Sequence, residues 1–234
     1  MVVSYFYLAI DEFPDLSIGK SIASETQLAL PGTEGDATAH TTFTYKGEAD
    51  DPQFDRYLVE HQYVKDTHAI FKGQTLRKLI FVTEFHVFTR REEGYLLAQT
   101  NKAVARAAFG RLDKAGIQTH EEQISLSWAQ QVGDTTGGWF GNLQMQNVNA
   151  AALFGEGVME SEDWERYEEL GDLSAVNVRI ANPSDQSVRT VMLTRNRGVI
   201  LFQDHGDGDN LKFAAELQRS LSAIQQAGPP ASSP

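Results

Sequence analysis

The alternation of apolar and polar positions divides the chain into strand-like and helix-like stretches. Residues 1–10, rich in Val, Tyr and Phe, run into the polar, proline-containing turn Asp11 to Asp15, which predicts a β-strand. Residues 16–35 are ambiguous, broken by Pro31-Gly32 and Gly35. Ala39, Thr41, Phe43 and Tyr45 share one face at period two and predict a second, half-exposed strand. Leu79 to Thr89 is a long β-type run, apolar on both sides. Ile124, Leu126 and Trp128 alternate with Gln123, Ser125 and Ser127, another predicted strand, and Val176, Val178 and Ile180 begin a last strand set. Val188 to Thr194 and Val199 to Gln203 flank Arg195-Asn196-Arg197-Gly198, which predicts a hairpin turn.

Helical spacing predicts four helices. Pro52 after Asp51 suits a helix start, and Phe54, Tyr57, Leu58, His61 and Val64 follow at roughly helical intervals. After the charged turn Arg90 to Gly94, a stripe of Leu96, Leu97, Val104, Ala107, Ala108 and Leu112 predicts the clearest helix, with Gly116 at its C′ position. Ser161 is an N-cap, Glu162 and Asp163 complement the helix dipole, and Leu170-Gly171 ends that short acidic helix. Leu211, Ala214, Leu217, Leu221 and Ile224 form the inner face of the last helix, before a disordered GPPASSP tail. Residues 132–142, VGDTTGGWFGN, read as a glycine-rich loop, with strand character from Leu143 to Val148 and an Ala-rich extension to Gly155.

These elements predict an α+β fold: antiparallel β-sheet packed against two long amphipathic helices and a short acidic one. Residues 78–116 and 189–228 share an outline of β-structure, charged turn, Ala-rich helix and terminal Ala-Gly, which admits two similar βα halves. The expected organisation is 1–71 (N-terminal strands and helix), 72–155 (first β-helix half with the Gly-rich loop), 156–226 (second half) and 227–234 (tail), within one compact domain. The strand–turn–strand–long-helix order of the second segment resembles in outline a lobe of the TATA-binding protein fold. The basic sheet surface and paired Phe wedges that DNA binding would need are missing, so DNA binding is not carried over.

Composition narrows the chemistry. The 234 residues include no cysteine, which excludes disulfide scaffolds, zinc ribbons, iron–sulfur clusters and cysteine nucleophiles. Thirty-two acids oppose 20 Lys and Arg, a net charge of −12, unevenly spread. Residues 1–71 carry −8, residues 72–116 carry +5, and residues 156–175 carry −7. The apolar start is too short to span a bilayer and lacks a basic n-region, so a soluble, cytoplasmic protein without membrane contact is expected. With this overall charge, nucleic acid is not the expected partner.

Two constellations remain. Trp139 and Phe140, set between glycines, suit an aromatic partner-binding tip, and Glu162, Glu165 and Glu169 on the acidic helix suit a charged protein surface. Asp204, His205, Asp207 and Asp209 cluster oxygens of the kind Ca²⁺ or Mg²⁺ takes, although the spacing is not that of an EF-hand, and Glu84 with His86 share a strand face. His61 and His68, seven apart, lie too far apart along a helix to share a metal. No HExxH, P-loop, dinucleotide fingerprint or GxSxG occurs. The leading expectation is an acidic interaction module, such as an inhibitor, an immunity-type factor or an accessory subunit. It would bind a protein partner or a second copy through charge and an aromatic loop, without a cofactor. The alternative is a metal-dependent hydrolase or transferase built on the Asp/His loop.

Overall fold

β-Structure dominates the fold. The computed structural model describes residues 2–28, 37–181 and 187–227; Pro31-Gly32, Gly35 and the terminal tail lie outside them. Among the described residues there are twelve strands and three α-helices, and the chain divides into two compact units, one of residues 8–120 and one of residues 1–7 with 121–234.

In the unit of residues 8–120, the C-terminal part of β1 (Val3–Glu12) is followed by β2 (Ser21–Leu28), β3 (Ala37–Glu48), β4 (Asp55–Phe71), β5 (Gln74–Arg90) and β6 (Tyr95–Ala98). Strands β2 to β6 form an antiparallel meander in chain order, and β7 (Gln118–His120) pairs with β1. Helix α1 (Lys102–Leu112) is capped by Asn101, whose side chain accepts from the Val104 N–H. It buries Ala105, Ala108, Phe109 and Leu112, and the Phe109 ring meets Phe43 edge-on at 6.3 Å. Gly116 ends this segment in the left-handed region at φ 88°, and the Ile117 N–H returns to the Leu112 carbonyl.

The helix expected over Phe54 to Val64 is strand β4. Tyr57, Val59 and His61 are buried at period two, whereas the spacing Tyr57, Leu58, His61, Val64 had suggested a helical stripe. Both periods fit these positions; pairing with β3 and β5 decides between them. Leu96 and Leu97 likewise belong to β6, so the helix that follows has only 11 residues.

In the other unit the sheet order is β1, β12 (Val199–Leu201), β11 (Val188–Thr194), β10 (Asp172–Ala181), β8 (Asp134–Met145), β9 (Val148–Phe154). One face is continuous and buried: Val3 and Tyr5, Val199 and Leu201, Val191 and Leu193, Val176, Val178 and Ile180. Helix α3 (Asp207–Ala227) closes with Leu211, Phe213, Leu217 and Leu221 inward. The strand–turn–strand–helix order over residues 188–227 forms as expected. The expectation of a sheet packed against two long helices is overturned, since α3 is long and α1 is not; the fold is mostly antiparallel sheet. The predicted strand Ile124 to Trp128 is also absent: a 3₁₀ segment runs from Leu126 to Gln131, with Ile124 tied to Arg195 by its N–H.

The glycine-rich stretch expected as a loop is the body of β8. Helix α2 (Glu162–Leu170), capped by Ser161, buries Trp164 directly on it. A Cβ on Gly138 would lie 2.5 Å from the Trp164 ring, and one on Gly137 would lie 2.6 Å from Phe154. The glycines give aromatic rings a flat backbone to rest on.

The β11–β12 turn is locked by a buried cation. Arg197, 4% exposed and at φ 57°, donates from Nε to Gln218 Oε1 (3.0 Å) and from Nη2 to the Gln218 carbonyl (3.1 Å) and Ser222 Oγ (2.5 Å). Its Nη1 donates to Glu122 Oε2 at 2.5 Å, its face covers Tyr7 at 4.1 Å, and Gln218 Nε2 returns a bond to the Arg197 carbonyl.

Two substitutions test this packing. Arg197→Met leaves the Glu122 and Gln218 side chains without their cation and should cost about 3–5 kcal/mol in denaturant unfolding. Gly138→Ala, which drives a methyl group into the Trp164 ring, should cost about 1–3 kcal/mol in the same assay.

Candidate functional site

Strands β4 and β5 are 17 residues each, longer than the neighbours that hold them. Pairing of β4 with β3 ends at Thr41 opposite His61, and β6 covers β5 only from Val87 to Arg90. From Gln62 to Phe71 and back from Gln74 the two strands pair only with each other among the described residues. Ten residues of strand make a two-stranded ribbon roughly 30 Å long. Its tip is a two-residue turn, Lys72-Gly73, with φ of 49° and 80°, the double left-handed geometry of a type I′ hairpin. A bulge between Asp66 and Ala69 adds local twist.

Burial declines along the ribbon. His61 is buried at its base, Tyr63 is half-buried, and Lys65 and Asp66 are exposed. Tyr63 stacks on His61 and Phe81 on Tyr63, each at 5.9 Å between centroids, and Lys65 Nζ lies 5.8 Å from the Phe81 centroid. Opposite this aromatic face Val82 is 55% exposed, and near the tip Ile70 is 79% exposed. Residues 62–83 contain Lys65, Lys72, Arg77 and Lys78 against Asp66 alone, a net of +3 within a chain of −12. The surface is apolar, aromatic and cationic, which suits contact with an acidic macromolecular surface.

Its base is anchored by polar contacts. Thr41 Oγ1 lies 2.9 Å from His61 Nδ1, while His61 Nε2 is buried without a partner. Burial, reinforced by the Arg111 cation, lowers the His61 pKa to about 4, so the ring is neutral at pH 7. Arg111 on α1 donates to the Gln62 carbonyl at 2.5 Å, where helix cover of the sheet gives way to the ribbon.

The residues singled out in the sequence fall elsewhere. Phe140 is buried, edge-on to Trp164 at 5.0 Å, and Trp139 is half-buried against Phe154, so they form no projecting tip. Glu162, Glu165 and Glu169 are exposed on α2, together with Asp163 and Glu168. Asp204 accepts from the Gly206 N–H (3.0 Å) and from Asn210 Nδ2 (2.8 Å), contacts that hold its carboxyl below the usual range. Asn210 Oδ1 accepts from the His205 N–H, so the loop is a self-bonded turn into α3. Asp207 and Asp209 occupy the first turn of that helix. Glu84 and His86 stand on β5, opposite Glu60 and Leu58. Among the described residues no three His, Asp or Glu side chains gather in a way that could hold a metal ion, those of Asp204, His205, Asp207 and Asp209 included. The spacing in the ribbon's first strand fits a helix as well as a strand, and the Lys72-Gly73 pair is its local signal in the sequence.

No protein-family model and no curated protein matches this chain. Among the described residues no helix is long and apolar enough to cross a membrane.

The His61 anchor has a pH signature. Its folded pKa lies below the unfolded value of 6.5, so the unfolded chain binds the extra proton as pH falls. The stability it confers is complete above about pH 6.5 and declines toward pH 4, by up to about 3 kcal/mol. Unfolding curves across this window should show a smaller pH dependence in His61→Gln than in the parent; equal slopes would remove His61 from this role.

Proposed function

We propose that the chain is a cytoplasmic protein-interaction module whose cationic β-ribbon docks on an acidic protein surface. The observation that carries this reading is that among the described residues no other strand pairs with the ribbon, combined with exposed Ile70 and Val82 and a local charge of +3. An isolated two-stranded ribbon is marginally stable in water, and a partner that covers one face would stabilise it. The chain itself carries a surface of the required chemistry: α2, with five exposed acids within residues 156–175, a segment of net −7. The partner proposed is therefore α2 of a second copy, in a contact that pairs two different patches and so closes into a ring or propagates.

Sedimentation of the purified protein at low and high salt, with zero-length carboxylate–amine cross-linking, tests this. Concentration-dependent association is expected at low salt, weakening as salt screens the contact. Cross-links should join Lys65, Lys72 or Lys78 to Glu162, Glu165, Glu168 or Glu169 of a second molecule. The pair Lys65→Glu and Lys78→Glu, both exposed, should weaken association about tenfold or more without loss of folding. A monomer at every concentration, without these cross-links, would overturn the reading. Salt-dependent oligonucleotide binding that disappears in the same double variant would instead assign the ribbon to nucleic acid.

A further inference from the structure

Strand β9 closes one end of the strand order, and among the described residues it pairs only with β8. One hydrogen bond fixes what its free edge presents. The Gly155 N–H donates to the Thr136 carbonyl, so the Phe154 carbonyl, on the opposite side of the same peptide, points away from β8. Backbone direction alternates along a strand, and the register with β8 is unbroken from Ala150 to Phe154. Ala150, Ala152 and Phe154 therefore turn their N–H and C=O groups outward, where no described strand meets them. Exposed edges are ordinarily blunted by charge or proline. β2, the edge strand of the other unit, carries Glu25, and the ribbon carries lysines. β9 has neither charge nor proline: its sequence is VNAAALF, and the uncharged run extends from Thr135 to Gly155 in a chain whose residues are 22% charged. Ala150, Ala152 and Phe154 are all exposed, Phe154 by 60%.

Two chains of net charge −12 repel each other, and an uncharged edge is where copies can approach closely. The three outward residues are symmetric about Ala152, so two copies related by a two-fold axis answer each other's backbone groups. We infer that β9 pairs antiparallel with β9 of a second copy, Ala152 opposite Ala152, and joins two sheets into one. Ala150 of each copy then lies opposite Phe154 of the other on the same face. A small residue meets an exposed ring that already rests edge-on to Trp139 at 5.0 Å. A foreign strand could take the same hydrogen bonds; the missing charge and the large-to-small match favour a second copy. The contact is isologous and closes at two, unlike the ribbon-to-α2 contact, which pairs different patches. It does not depend on that contact.

Sedimentation at high salt isolates this contact, because the ribbon contact is screened there. A dimer is expected to persist, with its Kd unchanged in the Lys65→Glu, Lys78→Glu double variant. The chain has no cysteine, so single-cysteine variants report the register directly. Under oxidation Ala152→Cys should join two chains, since opposed Cα atoms about 5.5 Å apart suit a disulfide. Ala150→Cys, roughly 13 Å along the strand from its counterpart, should not. Ala152→Pro removes an outward N–H that β8 does not use, and should weaken the dimer about tenfold or more. Should proline disturb folding, Ala152→Glu at the same exposed position sets two carboxylates opposite each other and should weaken it similarly. A monomer at high salt would overturn the inference, whatever other strand the edge might accept. So would a dimer that survives both substitutions at Ala152, a dimer lost in the double lysine variant, or cross-linking through Ala150→Cys as fast as through Ala152→Cys.

Discussion

A β-strand needs neighbours for its backbone groups and cover for at least one face, and the unit of residues 8–120 meets that need over only part of its length. β3 is 12 residues long and β6 only four, against 17 in each of β4 and β5. Where the neighbours pair, Tyr57, Val59 and Val87 are fully buried and α1 closes the layer. Beyond them, intrastrand alternation persists but the side chains turn from apolar to mixed, and lysines appear at Lys65, Lys72 and Lys78. Lysine on exposed strands opposes indiscriminate edge pairing, so the same charges that would attract an acidic partner also deter unrelated strands.

The expected strands near the N-terminus, over Thr38 to Tyr45 and around the Arg195–Gly198 turn all form, because β-rich composition or, for Thr38 to Tyr45, period-two alternation coincided with turn residues beside them. Ser161 and Gly116 also act at helix ends as their chemistry suggests. What could not be read locally was decided by pairing and packing. Positions 54–64 satisfy both helical and strand periods, and only the neighbouring strands choose. The GGWFG stretch carries strong turn residues, yet its glycines accommodate rings that arrive from Trp164 and Phe154, both more than ten residues away. Glycine composition alone does not distinguish a bend in the chain from a flat place for a ring to lie.

The acid excess also acquires structure. Seven units of net negative charge lie within residues 156–175, where α2 turns Trp164 inward and leaves its acids to solvent. The positive excess expected around the first long helix is shared with the ribbon, which contributes +3 between residues 62 and 83. Fields of opposite sign on separate elements favour encounter between copies when salt is low and fade beyond the Debye length when it is high.

Two buried arginines in one unit are housed in different ways. Arg197 directs its three guanidinium nitrogens at Gln218, Glu122 and Ser222 and rests on Tyr7, so burial is compensated within the chain. Arg189 is almost as deeply buried and rests on Phe213, but its Nε and Nη1 have no hydrogen-bond partner among the described residues. The aromatic face offsets part of the desolvation of a guanidinium and none of its directional hydrogen-bonding demand.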